Sequence, residues 1–379
     1  MSTSQRPHYL ERASEFVCCA TLSDLGPPVL ERGRWIIADC LPVIAAGMQT
    51  PEMKALTAAH LAKAAQGECW VLGTGRRAGA MDAALLNGTA GTFLELDEGN
   101  LFAGGGHPGI QVVPAALAAA QELGSSGAEL LLAVTLGYEI CARIVGASKL
   151  RPSVHSHGTY GVIGAAVAVA RLKAFTQQQM HELLNVAATM GMATSRNSLL
   201  EGATVRNIYT GHSGYMGQLA VRLVETGFSG EIDAVKSVFG SVLSDSFDAE
   251  RVVAGLGTEW LVTQNYFKLH PTGRYVHSAI DALEDALSRQ PDGRIDHNAI
   301  ERIDVKAYKL AAGLRGKNIT SSFGARFSIP FALASILYHG RSGLTSFDEA
   351  AVANPRVQQL VDKVHVVEEL SYNDNYPRE

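Results

Sequence analysis

Four short segments of this chain concentrate residues that can move protons or hold anions. The first, residues 96–109, sets Asp97 and Glu98 before Gly104-Gly105-Gly106 and then His107-Pro108-Gly109. A carboxylate that orients an imidazole and raises its basicity is a general-base arrangement, and glycine-rich backbone approaches ligands closely or turns tightly. The alternative is a helix-capping Asp and a solvated loop His. The second segment, residues 151–159, places His155 and His157 just before a helix start, whose free N–H groups and partial positive charge favour anions. His-x-His is also half of a metal site, but no cysteine is near and no second ligand pair has metal spacing, so no metal is expected.

The third segment, residues 201–207, carries Arg206 and leads into a helix with Gly211, Gly214 and Gly217. The fourth gathers Lys268, His270, Arg274 and His277 within ten residues at the start of a further helix. Each segment alone also reads as a solvated loop. Together, four loops that abut helix ends and carry His, Lys, Arg or Asp predict one polar pocket between two domains.

The elements that must position these segments are mostly helices. Helical periodicity predicts helices over 14–19, 29–46, 51–65, 80–98, 112–123, 128–147, 160–173, 176–188 and 212–226. Several are apolar nearly all round, as in Leu130-Leu131-Leu132-Ala133-Val134, which marks helices buried inside a bundle. Small residues crowd the helices near 115–120 and 158–166, which lets axes approach closely. After about residue 264 the pattern changes. Alternation over 302–309 and the run Val364-His365-Val366-Val367 predict strands, with helices over 329–338 and 347–363 between them. The expected fold is mainly α, with an all-helical domain over 1–265 and a smaller α+β lid over 266–379.

Composition narrows the classes. The 379 residues are 47% apolar and 18% charged, enough for a sizeable core. With 32 Lys and Arg against 37 Asp and Glu, the net charge of −5 points to no nucleic-acid partner. Five cysteines, none in C-x-x-C spacing, argue against a disulfide framework and for a reducing compartment. The polar first twelve residues predict no signal peptide. The uncharged stretch 101–121 contains Gly104, Gly105, Gly106, Pro108 and Pro114, so no membrane span and a cytoplasmic protein are expected. Gly73-Thr74-Gly75, with Gly79 following, imitates a dinucleotide fingerprint. Its spacing is wrong and no βαβ unit follows, so a plain turn is expected.

The ordered motifs are D-x9-H-P-G from Asp97, G-T-Y-G-x-x-G-A-A from Gly158, G-x-T-x-R-N-x-x-x-G from Gly202, G-F-S-G at 227–230, K-x-H-P-x-x-R-x-x-H from Lys268, and R-F-S-I-P-F from Arg326. In that order they resemble the MmgE/PrpD family of 2-methylcitrate dehydratases, cis-aconitate decarboxylases and iminodisuccinate epimerases. The resemblance implies a large helical domain with an α+β lid, a homodimer, an active site in the cleft, and no metal or organic cofactor. It places the family's acidic position on Asp97, its two active-site histidines on His107 and His155, and its lid-side lysine on Lys268. Two positions depart: Arg206 stands where the decarboxylases carry lysine, and Phe331 where a tyrosine is expected. Arginine keeps its proton and phenylalanine donates nothing, so both point away from decarboxylation of the cis-aconitate type. The chain also stops sooner after its last strand than the family resemblance leads one to expect.

The reaction expected is proton abstraction next to a carboxylate on a small di- or tricarboxylate. Asp97, His107, His155 and Lys268 would be catalytic, and Arg206, His157, His270 and Arg274 would bind substrate. Dehydration of the 2-methylcitrate type is the first reading. Epimerisation, and a non-catalytic carboxylate-binding protein, are the alternatives.

Overall fold

A computed structural model of the protein describes residues 6–290, 292–293 and 295–374. Two compact units emerge. One takes the chain up to Phe93, Asp97–Arg196 and Asn207–Phe267; the other takes Leu94–Leu96, Asn197–Arg206 and the chain from Lys268 onward. The fold is mainly α, with three two-stranded sheets among the described residues.

The first unit is built on α1 (His8–Cys19), α2 (Pro27–Gly47), α3 (Pro51–Leu61), α4 (Ala80–Ala90), α5 (Pro108–Leu123), α6 (Gly127–Gly146), α7 (Gly161–Leu172), α8 (Gln177–Ala188) and α9 (Ile208–Glu225). Local chemistry fixes several ends. Ser126 with Glu129, and Thr176 with Gln179, form capping boxes at α6 and α8. Pro27, Pro51 and Pro108 sit at first helical positions, where their missing N–H costs little. Helix α7 is central, with every residue from Gly161 to Ala170 buried. Its neighbours approach through small residues, as expected. A Cβ on Gly137 of α6 would lie 2.4 Å from the Gly164 carbonyl, and one on Gly217 of α9 would lie 2.5 Å from Ala165 Cβ.

Two expectations about this unit change. The helix expected over 80–98 ends at Ala90, and the carboxylate-bearing segment after it is irregular, with Glu95 at φ 50°. The next helix begins at Pro108, not near 112, so Pro114 lies inside it and removes one helical hydrogen bond. The Gly73-Thr74-Gly75 stretch is the turn of an antiparallel hairpin, β1 (Cys69–Val71) with β2 (Arg76–Ala78), and both glycines have positive φ. A second small pair joins β3 (Ser148–Leu150) to β4 (Ser244–Phe247). All five cysteines are free thiols, and Cys40, Cys69 and Cys141 are buried.

The second unit carries α10 (Arg274–Ser288), α11 (Ile329–His339) and α12 (Pro355–Lys363), with β5 (Ile303–Ala307) and β6 (Val364–Glu368) paired in parallel from Ile303↔Val364 to Ala307↔Glu368. Its own core includes Val276, Ile280, Phe331, Phe347, Leu360 and Val364. The helix expected over 347–363 is broken at Pro355. Asp348 caps a short turn over Glu349–Val352, and Asn354 accepts from the Arg356 N–H to start α12 afresh. None of the described helices is long and apolar enough to cross a membrane.

Candidate functional site

The sequence-predicted residues form two groups, one in each unit. In the first unit, Asp97, His107, His155 and His157 come together. Asp97 is fully buried, and its Oδ2 lies 2.7 Å from His107 Nδ1. The rings of His107 and His157 stand edge to face with centroids 4.8 Å apart, and those of His155 and His157 do the same at 4.8 Å. Tyr209 of α9 closes the row, 5.6 Å from His155.

Backbone and helix ends explain how the rings are held. His107 occupies the N-cap of α5 but does not cap it with its side chain. Glu98 does so from across the loop, accepting the Gly109 N–H at 2.6 Å. It also accepts from Tyr138 Oη at 3.0 Å and Asn265 Nδ2 at 3.1 Å. Burial pushes the Glu98 carboxyl up to about 8, against the lowering effect of these bonds. His155 is anchored by its backbone N–H to the Thr194 carbonyl at 2.8 Å.

The two outer imidazoles are fixed in opposite senses. Asp97 Oδ2 beside Nδ1 favours the tautomer of His107 that holds its proton there and keeps a lone pair on Nε2. His155 Nδ1 instead accepts the His157 backbone N–H at 3.0 Å, so its proton sits on Nε2. One ring therefore offers a base, the other a hydrogen-bond donor.

In the second unit, Arg206 and Lys268 converge on a residue the sequence reading passed over, Glu95. Arg206 Nη1 lies 2.5 Å from Glu95 Oε1, and Lys268 Nζ lies 2.8 Å from Oε2. All three side chains are buried. Phe323 and Phe327 each place a ring 5.9 Å from the Arg206 guanidinium carbon, a cation–π setting. Arg326, also buried, donates to the carbonyls of Pro271 and Leu94, and desolvation lowers it to about 10 despite the attraction of Glu95 and Asp348. The one signal for Glu95 in the sequence was its place in Leu94-Glu95-Leu96-Asp97-Glu98, hidden by reading that stretch as helix.

His270 turns its Nε2 to Asp281 of α10 at 3.0 Å, and its ring stands 5.0 Å from that of His277. His270, Asp281 and Glu284 form the group, among the described residues, whose ligand atoms lie close enough for a cation, all within 4.8 Å of one another. The two carboxylates are exposed, and the His270–Asp281 bond already accounts for the pair. Arg274 opens α10 and is half-buried. Phe331 lies in the unit's core, its ring centroid 6.3 Å from that of Phe347.

Fold and residues together define a mainly α protein of two units, one holding a buried carboxylate–histidine centre and the other buried cations on a shared carboxylate. The chain belongs to the MmgE/PrpD family: residues 11–251 match the MmgE/PrpD N-terminal domain and residues 270–379 the MmgE/PrpD C-terminal domain. It is similar to a cis-aconitate decarboxylase of Aspergillus terreus, 26% identical over 367 residues that span 90% of this chain and 74% of the relative. A cis-aconitate decarboxylase-like protein, oryM, of Aspergillus oryzae is 26% identical over 91% of this chain and 76% of its own length. The human cis-aconitate decarboxylase is 24% identical over 78% of this chain and 62% of its own length.

Proposed function

We propose that this protein is a lyase that acts on a small polycarboxylate by proton transfer at the carbon next to a carboxylate, with dehydration of the 2-methylcitrate type as the first reading. The observation that carries it is the opposed fixing of His107 and His155. His107 Nε2 takes the α-proton, and Asp97 steadies the imidazolium that results. His155 Nε2–H donates to the departing hydroxyl, or to the enediolate oxygen that develops. The C–H and C–O bonds break and a C=C bond forms; the hydroxyl leaves as water with the proton of His155 Nε2, the abstracted proton stays on His107, and exchange with solvent restores both rings. In this reading Arg206 and Lys268, which both pair with Glu95, bind substrate carboxylates through their remaining N–H groups. His157, His270 and Arg274 are further substrate contacts in this reading. A homodimer is part of this reading, and sedimentation of the purified protein checks it.

A second reading, decarboxylation, is favoured by the names of the similar proteins. In that reaction the C–C bond to a carboxylate breaks, CO2 leaves, and His107, entering as the imidazolium beside Asp97, gives its Nε2 proton to the carbanion carbon. One experiment separates these. The protein is incubated in D2O with citrate-like tricarboxylates, cis-aconitate and aspartate-derived dicarboxylates, and followed by NMR and ultraviolet absorbance. An unsaturated acid formed without CO2 supports dehydration, whereas CO2 release from cis-aconitate replaces it with decarboxylation. Exchange of the α-proton without net product would point to epimerisation. No exchange and no product with any of them would overturn the enzyme reading in favour of carboxylate binding.

A further inference from the structure

Gln111 is fully buried one turn into α5, and its amide touches both loops that carry the histidines. Nε2 donates to the carbonyl of His107 at 3.0 Å. Oε1 accepts the backbone N–H of Gly158, next to His157, at 3.0 Å, and the Ser213 hydroxyl of α9 at 2.9 Å. Two loops about fifty positions apart in the chain are thus joined by one planar group.

The surroundings admit little else. Gly158 has a φ of +80°, a conformation that turns its N–H towards Gln111 and that side chains with a Cβ resist. A Cβ on Gly161 would lie 2.2 Å from Gln111 Oε1, so the amide fits only against a glycine. The position needs a donor for a carbonyl and an acceptor for an N–H and an O–H at the same time. A carboxylate lacks the donor, and an aliphatic side chain lacks both, leaving buried backbone groups unpaired.

We propose that Gln111 is a positioning residue that sets the separation and orientation of His107 relative to the His155–His157 loop. Its effect on turnover rests on the reading of these histidines as the proton-transfer centre; its effect on the imidazoles does not. A shift of either loop changes where His107 Nε2 and His155 Nε2–H stand with respect to one small substrate. A displacement of about 1 Å at such a centre costs on the order of 10²-fold in rate.

The test compares Gln111→Glu and Ser213→Ala with Gln218→Glu. Gln218 is another buried glutamine that donates to a carbonyl of α5, that of Ala115 at 2.9 Å, away from the histidine loops. Imidazole 15N spectra are recorded for each variant, with kcat and KM on whichever carboxylate the wild type turns over. Gln111→Glu is expected to shift the His107 and His155 signals and to lower kcat by about 10–100-fold with KM held within about threefold. The loss should deepen as pH rises, because only the protonated acid can donate to the His107 carbonyl. Ser213→Ala, which removes one of the three bonds, should shift the same signals less. Gln218→Glu should leave them in place. The proposal is overturned if Gln111→Glu and Ser213→Ala leave the imidazole signals at their wild-type positions, or if Gln218→Glu moves them equally. If the wild type turns over none of the carboxylates, the proposed function fails and the spectra alone decide the positioning role.

Discussion

Arg206 Nη1 lies 2.5 Å from Glu95 Oε1, with both side chains no more than 2% exposed. Breaking a buried pair by removing one partner strands the other charge, at a cost of about 3–5 kcal/mol. Here Glu95 also serves Lys268, so Glu95→Gln leaves two buried cations facing one amide. Thermal unfolding should show a drop in Tm for Glu95→Gln larger than for Arg206→Lys, which keeps the charge. A Tm for Glu95→Gln equal to wild type would mean that the carboxylate is not what holds the cations.

The same relationship sharpens what Arg206→Lys should do to turnover. A guanidinium can face Glu95 with one nitrogen and present others to a substrate carboxylate in a fixed fork; an ammonium cannot match that geometry. KM should therefore rise more than kcat falls, because binding common to ground and transition states is lost. Steady-state kinetics with an unchanged KM and a lowered Tm would reduce Arg206 to a brace for Glu95.

For the histidine centre the expected pattern is the opposite. His107→Ala should lower kcat by about 10²–10⁴-fold with little change in KM, as removal of a general base does. Asp97→Asn keeps the size but offers His107 Nδ1 an amide that can sit either way, so the tautomer with a bare Nε2 is no longer enforced. It should lose most of the same kcat. Rates within about threefold of wild type for both variants would remove His107 from the mechanism.

Much of this was legible in the chain because periodicity and small-residue spacing report packing directly. The buried helices around α7, the small residues of α5 and α7, and the strand near 303 carry such patterns, while the parallel pairing of that strand with the one near 364 was not legible. Asp97, His107, His155 and His157 were legible because their residue types are rare at such density beside glycine loops. Glu95 was not. Its role depends on a positive φ in an irregular segment, and the apolar residues at 93, 94 and 96 imitate a continuing helix. Gln111 was hidden for another reason: a glutamine on an apolar helix gives no sign of which distant carbonyl or N–H it meets. The break at Pro355 was visible as a residue, but the Asn354 cap that turns it into a new helix start was overlooked.

His277 gives the second unit a pH dependence. Burial lowers its pKa from the usual 6.5 to about 3, and the positive charges of Lys268, Arg274 and His270 push the same way, against a weak bond to the Thr272 carbonyl. The unfolded chain therefore binds a proton that the folded chain refuses, so stability falls as pH drops from about 6.5 towards 3. The limiting slope is about 1.4 kcal/mol per pH unit. Denaturant unfolding of wild type and His277→Gln between pH 7 and 5 should converge as pH falls, because the variant lacks this loss. Parallel curves would show that His277 takes up its proton without penalty.

Glu98 acts with the opposite sign and at higher pH. It is sealed beside Tyr138 and Asn265 while capping the first turn of α5, and burial raises its carboxyl from 4.5 to about 8. The folded state thus holds a proton that the unfolded state has already lost. Stability from this group is complete below about 4.5 and declines as pH rises to about 8. Between about pH 7.5 and 8.5 the unfolded His277 has also lost nearly all of its proton, so that window isolates Glu98 from the other slope. Glu98→Gln removes the titration: its oxygen can still accept the Gly109 N–H, whereas its nitrogen cannot accept from Tyr138 and Asn265, so the variant is destabilised by a pH-independent amount. Urea midpoints should fall with pH in the wild type across this window and stay flatter in the variant. Equal stability slopes in both proteins would mean that Glu98 is ionised throughout and that α5 is capped by a carboxylate at every pH.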